Sequence, residues 1–395
     1  MSKTLVALIL LGLLGAGVLL FIGQKNTQDK LSSAQNARSN SPKSQSVKVG
    51  KPVEFNLKLP EGFKIGIFAE GLDNPRDLAI SEGGTLLVSI PSRGKVVALP
   101  DRDNDGVADE VKEVLVSQQR PHGLVFNKGK LFVAEETQVS SYDWDEQKVE
   151  ALNRKKVFSL PKGDRHFTRT IDFDSQGRMY VSVGSTCDVC FEGDPFLAAV
   201  VSLEPGRVTP RVFAKGLRNA TFIKVKPDTG ELWVTEMGRD FLGDNKPPDE
   251  INIVREGGDY GWPICFGNKT HDNEFDKKVY IRDPCEDTEA PVYEIQAHSA
   301  PLGLNFINSS QFPKDSQGDL LVAYHGSWNS TEKVGYKIVK LDLEGSKVVK
   351  EEDFITGFLK AEEVLGRPVD LEFDQQGSLY ISDDKKGTVY KVIKQ

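Results

Sequence analysis

A chain of 395 residues with 38% hydrophobic and 9% aromatic side chains can bury a substantial core. Its formal net charge of −8, with no long block of Lys or Arg, argues against a nucleic-acid partner, since phosphate recognition needs a basic face. Thirty-six glycines and 20 prolines suit many strands joined by turns.

In chain order, the first element is an unbroken apolar run of 18 residues, Leu5 to Ile22, preceded by Lys3. That is just long enough to cross a bilayer as a helix. Bulky Leu19, Leu20, Phe21 and Ile22 close the run where a cleaved signal peptide would carry small residues, and no Cys follows it for lipidation. Residues 1–23 are therefore expected to form a membrane anchor, with a cleaved signal segment as the alternative. Either reading places the remainder outside the cytoplasm, tethered or secreted. Residues 24–50 are nearly all polar, small or charged, and read as a flexible linker because they cannot bury enough to offset ordering entropy.

From residue 51 onward one short pattern recurs six times: TLLVSI (85–90), KLFVAE (130–135), RMYVSV (178–183), ELWVTE (231–236), DLLVAY (319–324) and SLYISD (378–383). Ahead of each lies another apolar alternation, respectively DLAIS, GLVFN, TIDFD, FIKVK, GLNFI and DLEFD. Strand, turn and strand make a β-hairpin, and five of the six turns carry a Gly at or next to their end. Six hairpins predict an all-β, six-bladed β-propeller over residues 51–395, with an insertion in the widest gap, 236–319. Two packed sandwiches would not repeat one hairpin signature six times.

The innermost strand of each blade runs along the central channel, so the residues just before it gather at one face. These are Pro75-Arg76, Pro121-His122, His166 to Arg169, Arg218-Asn219, His298 to Pro301, and Arg367-Pro368. Three of the chain's five histidines fall in these six slots, and a fourth, His325, directly follows a repeat strand. His271, in the insertion, reads as surface. Each residue alone could be a satisfied strand cap. Together they predict a cationic, imidazole-lined pocket on the axis for an anionic ligand carrying several carboxylates.

Asp101, Asp103, Asp105 and Asp109, with Gly106 between, match the spacing of an EF-hand-type calcium loop, except that Lys112 stands where its bidentate Glu belongs. A structural calcium is expected there, the alternative being an acidic surface turn. Cys187 and Cys190 form a C-x-x-C, and Cys265 and Cys285 close a short loop. Two disulfides in an oxidising compartment are expected, with a zinc site or a redox-active C-x-x-C as alternatives.

With these residues in place, the stretch from about 51 to 395 resembles the soluble quinoprotein sugar dehydrogenases of the sorbosone and aldose dehydrogenase branch. Those proteins are six-bladed propellers that use pyrroloquinoline quinone (PQQ) and Ca2+. RHFTRTIDF, VGSTCDVC, GLRNA, EINIVREGGDYGWP, HSAPLGL, YHGSW and GRPVDLEF carry the resemblance, in order along the domain. It implies that His166 is the general base, that Arg218 and Asn219 contact the quinone, and that Arg367 binds its carboxylates. It also places His122 at a polar cofactor contact, and the carbonyls of Gly238 and Arg239 around the cofactor calcium. The axial reading adds Arg169, His298 and His325 to the expected cofactor pocket. The implied reaction moves hydride from the anomeric carbon of an aldose to PQQ, with a quinone or cytochrome as final electron acceptor.

Two positions depart from the glucose enzymes of that family. Ser185 stands where an acid orients the catalytic His, leaving that part to Asp164 or Asp188, and Val369 replaces a second basic residue near Arg367. The alternatives are a non-catalytic or glycan-binding propeller that has lost PQQ, and a calcium-dependent lactonase.

Overall fold

The computed structural model describes residues 48–394. The expected membrane anchor, and the linker up to residue 47, lie outside the described residues. No helix among the described residues is long and apolar enough to cross a membrane.

Six four-stranded antiparallel sheets follow one another along the chain as blades 1 to 6. Their inner strands are Leu78–Ile80, Gly123–Asn127, Ile171–Phe173, Ala220–Val225, Pro301–Phe306 and Pro368–Phe373, the alternations recognised in the sequence. Each pairs with the strand that holds the recurring pattern, as in Phe126↔Leu131 of blade 2 and Phe173↔Met179 of blade 3. Every inner strand contacts the next, and the sixth contacts the first, so the ring is closed.

The closure uses a strand with no repeat signature. Phe63–Ala69 pairs with Thr388–Lys394 as the outermost strand of blade 6, so the start of the domain completes its last blade. The long gap in blade 4 holds the expected insertion, with a small hairpin of Cys265–Phe266 and Thr270–His271.

The apolar core is divided into six wedges, one at each blade interface. Leu87, Val96 and Leu115 of blade 1 meet Leu131, Val133 and Tyr142 of blade 2, and equivalent clusters recur around the ring. Alternating strands in a two-sided sheet make this arrangement, since each blade must bury both faces against neighbours.

Along the axis, polar groups join the blades. Leu124 N–H donates to Asp77 (3.0 Å), Gly123 N–H to the Arg169 carbonyl (2.7 Å), and Val225 N–H to Asp172 (2.7 Å). Thr221 donates to the Pro301 carbonyl (2.9 Å), Asn305 to the Leu371 carbonyl (3.0 Å), and Leu78 N–H to Asp370 (2.8 Å). Each interface is thus bridged at least once. Backbone approach here leaves no room for side chains at two positions. A Cβ on Gly123 would lie 2.5 Å from the Arg169 carbonyl oxygen, and one on Gly303 would lie 2.6 Å from the Asp370 Cα.

Candidate active site

The residues before the inner strands meet the loops that follow the repeat strands and form two ionic groups. The first belongs to blades 3 and 4. The Arg218 guanidinium, 4% exposed, donates to the Asp188 carboxylate (2.6 Å), the Asp188 carbonyl (2.8 Å) and the Met237 carbonyl (3.1 Å). It also lies 3.5 Å from Asp240, which accepts from Arg165 at 2.6 Å. Burial pushes the Asp240 carboxyl up. For Asp188 burial acts in the same sense, but the Asp240 amide and the Arg218 guanidinium outweigh it and hold the carboxyl down.

His166 lies beside this group. Its Nδ1 is 2.8 Å from the Ser185 hydroxyl, which is fully buried and 2.7 Å from the Cys187 carbonyl. A carbonyl only accepts and a serine hydroxyl has one proton. For both contacts to be hydrogen bonds, Ser185 donates to Cys187 and accepts from His166 Nδ1–H. This assignment leaves the lone pair on Nε2, the form a general base requires. Burial, then the charges of Arg218 and Arg165, push the imidazole down to about 3, so it is neutral at physiological pH. The expected partners are therefore corrected. Asp164 is exposed and pairs with Lys162, Asp188 pairs with Arg218, and Ser185 itself orients the ring.

The second group belongs to blades 5, 6 and 1. Asp384 accepts from Arg76 at 2.7 Å and faces His325 Nε2 at 2.9 Å. Burial opposes its ionisation, and His325 and Arg76 nevertheless hold its carboxyl far below the carboxylate range. Arg367 donates to the carbonyls of His325 and Gly326 and lies over the Tyr336 ring (5.6 Å). Gly326 allows this, because at φ +101 its missing Cβ would lie 2.4 Å from that ring.

The other expected residues divide. Asn219 Oδ1 is buried without a hydrogen-bond partner. His122 is fully buried with both ring nitrogens unpartnered, edge-on to Phe222, and kept neutral by burial and then by Arg76. His298 donates its Nε2–H to the Gly243 carbonyl at 2.8 Å. Arg169 is corrected. It is fully buried and spends its guanidinium on the carbonyls of Pro161, His166 and Thr168, so it supports the loop that carries His166. Val369 is likewise fully buried in the core between blades 4 and 5, with no role toward a ligand.

Of the calcium expectations, Asp101, Asp103 and Asp105 do gather, with carboxylate oxygens within 4.8 Å of one another. Asp109 is corrected, because it accepts from the Arg102 amide (2.8 Å) and guanidinium instead. At the second site the carbonyls of Gly238 and Arg239 accept no hydrogen bond among the described residues. Gly238 N–H donates to Asp249 (2.9 Å), and the Arg239 side chain pairs with Asp272 (2.6 Å). Burial pushes Asp249 up to about 6 and Glu250 up to about 7. Both expected disulfides, Cys187–Cys190 and Cys265–Cys285, are formed.

Sequence reasoning missed Arg165 and Asp384. Asp384 was within reach, because it directly follows the sixth repeat strand just as His325 follows the fifth.

The described residues thus form a six-bladed propeller, with arginines, histidines and carboxylates paired where the chain enters the inner strands and leaves the repeat strands. The chain belongs to the TrAA12-like family, whose profile matches residues 57–193 and 206–395; this is a family of PQQ-dependent sugar dehydrogenases. It is 29% identical over 358 residues to an uncharacterized protein of Borreliella burgdorferi, covering 86% of this chain and 91% of that one. It is 23% identical over 414 residues to the pyrroloquinoline quinone-dependent pyranose dehydrogenase of Coprinopsis cinerea, covering 85% of this chain but 54% of that protein. The chain therefore spans about half the length of that relative. The holo PQQ domain of the same enzyme superimposes with a TM-score of 0.75 at 21% identity, over 88% of this chain and 100% of that domain. A calcium structure of the family AA12 enzyme of Trichoderma reesei gives 0.74 at 21%, over 90% and 100%. At these identities the structural likeness establishes the fold.

Proposed function

We propose that this protein is a PQQ- and calcium-dependent dehydrogenase that oxidises an aldose at its anomeric carbon. The observation that carries the reading is His166. Held through Nδ1 by Ser185, it keeps Nε2 free as a proton acceptor beside the guanidiniums of Arg218 and Arg165.

The residues present fit the cofactor on three counts. Arg367 and Arg76 offer guanidiniums to carboxylates, the Asn219 oxygen is a buried polar atom without a partner, and the Gly238 and Arg239 carbonyls accept no hydrogen bond among the described residues. When bound, PQQ would supply a two-electron acceptor and calcium a Lewis acid. His166 Nε2 accepts the proton of the anomeric hydroxyl, and Arg218 stabilises negative charge that develops nearby. Asp188 and Asp240 fix the Arg218 guanidinium in place. At the rim, exposed Phe241 and Trp328 pack edge to face at 5.9 Å and offer an apolar face to a sugar ring. The same proposal places the domain outside the cytoplasm, tethered through the apolar run at residues 5–22, with electrons passing to a quinone or cytochrome.

Reconstitution with PQQ and Ca2+ and a dye-reduction assay across aldoses tests this. Sugar-dependent turnover that disappears with EDTA is the expected result, and failure to bind PQQ at micromolar concentration rejects it. A non-catalytic binding propeller is the second reading, favoured by the buried Val369 and by how much of Arg218 is already engaged.

A further inference from the structure

The two disulfides occupy unlike places. Cys265 and Cys285, 20 residues apart, are 4% and 0% exposed within the blade 4 insertion. Cys187 and Cys190, three apart, are half-buried and lie in the loop that follows the second strand of blade 3. So short a ring constrains the unfolded chain less than the longer one, so its place in the fold says more about its role than its contribution to stability.

That place is beside the base. The Cys187 carbonyl accepts the Ser185 proton at 2.7 Å, which is what turns the Ser185 oxygen toward His166 Nδ1–H. Asp188, inside the disulfide ring, takes two hydrogen bonds from Arg218, one on its carbonyl and one on its carboxylate. Past the ring, Glu192 folds back and accepts from the Thr186 amide at 2.6 Å. On the near side Gly184 backs directly against His166, where a Cβ would lie 2.6 Å from the imidazole-bearing Cβ. The charged groups facing His166 are Arg165, Arg218 and Asp188, and the last two are held through this same loop.

We propose that the Cys187–Cys190 disulfide is a thiol-sensitive clamp that positions His166 and Arg218, so that its reduction disables the site without unfolding the propeller. The proposal rests on the reading of His166 as the base. The chemistry is thiol–disulfide exchange with a dithiol reductant. The protein S–S bond takes two electrons and two protons to give two thiols, while the reductant's two thiols are oxidised to a disulfide. Half-buried Cys187–Cys190 reacts before the buried Cys265–Cys285 pair. With the ring open, the Cys187 carbonyl and Asp188 move independently, and His166 loses the partner that fixes its tautomer.

The test treats the full chain with dithiothreitol under native conditions and maps the thiols by alkylation and mass spectrometry. Nitrogen-15 NMR of the histidines, without cofactor, then reads the His166 tautomer, assigned with His166→Gln. Reduction confined to Cys187 and Cys190 is expected, with the fixed Nδ1–H signal of His166 giving way to exchanging tautomers. In the PQQ-loaded enzyme sugar turnover falls about ten- to a hundredfold. Ser185→Ala reproduces the NMR change without reductant, and Ser185→Thr restores the fixed tautomer. Complete reduction of this pair with the His166 tautomer unchanged overturns the clamp. A tautomer change in a protein that turns over no sugar in either state upholds the clamp and rejects the dehydrogenase reading instead. Because the reduction arm starts from folded protein, it does not depend on a Cys187→Ser/Cys190→Ser variant folding.

Discussion

The two ionic groups beside the inner strands are built from the same residue types and treat their histidine differently. On the blade 3 and 4 side, His166 is tied through Nδ1 to a neutral hydroxyl, while the carboxylates beside it are taken up by Arg218 and Arg165. On the opposite side His325 faces the Asp384 carboxylate directly, with Arg76 as the third member. A ring held by a hydroxyl among guanidiniums keeps a free, neutral nitrogen. A ring facing an ionised carboxylate has that nitrogen occupied. The difference separates a half suited to proton transfer from a half suited to holding charge, and it does so by partner choice rather than residue composition.

The comparison breaks most visibly at His166. In the reconstituted enzyme His166→Ala is expected to lower kcat by about 10²–10⁴-fold, the range for losing a positioned base, with little change in PQQ affinity. His325→Ala should spare kcat and weaken PQQ binding. Equal loss of kcat in the two variants would erase the division of labour. Arg218→Ala comes next, with a fall of about 10²–10³-fold in kcat, as for removal of one oriented donor. It also leaves Asp188 and Asp240 facing each other, so chemical denaturation should show a loss of about 3 kcal/mol. Arg367→Ala tests the charge-holding half and should weaken PQQ about 10- to 100-fold at unchanged kcat, read by equilibrium titration.

How much of this was legible in the sequence follows from how local each feature is. The inner and second strands could be read because each hairpin carries its own alternation and turn, as in DLEFD and SLYISD. The closing strand Phe63–Ala69 could not, because its partner Thr388–Lys394 is at the other end of the domain. One rule, that the slot before an inner strand faces the axis, singled out His166, Arg218 and Arg367, which stand in the two ionic groups. The same rule overreached at Arg169, where three nearby carbonyls claim the guanidinium. It passed over Ser185 and left Asp164 or Asp188 as the partner of His166, since the true partner depends on where the loop closed by Cys187–Cys190 sets each side chain. The calcium-like loop was three-quarters legible: spacing gathered Asp101, Asp103 and Asp105, and Arg102 diverted Asp109.

The smallest expected effect concerns stability, and it probes the His166 half without any ligand. A histidine in the unfolded chain titrates near 6.5, whereas burial and the neighbouring guanidiniums bring His166 to about 3 in the fold. Between those values the unfolded state binds one more proton than the native state at this position, so unfolding free energy rises with pH there. The neutral ring therefore costs nothing above pH 6.5, and stability declines as pH falls from 6.5 toward 3, by at most about 1.4 kcal/mol per pH unit from this group. His166→Gln, which keeps a polar side chain but cannot titrate, should show a shallower decline between pH 6.5 and 4 in denaturant melts. Asp384→Asn should leave that slope of the His166 side intact, since the two groups do not share a partner. If His166→Gln and the parent protein lose stability in parallel over this window, the imidazole is protonated in the folded pocket. The assignment of a free, neutral Nε2 to His166 would then have to be given up.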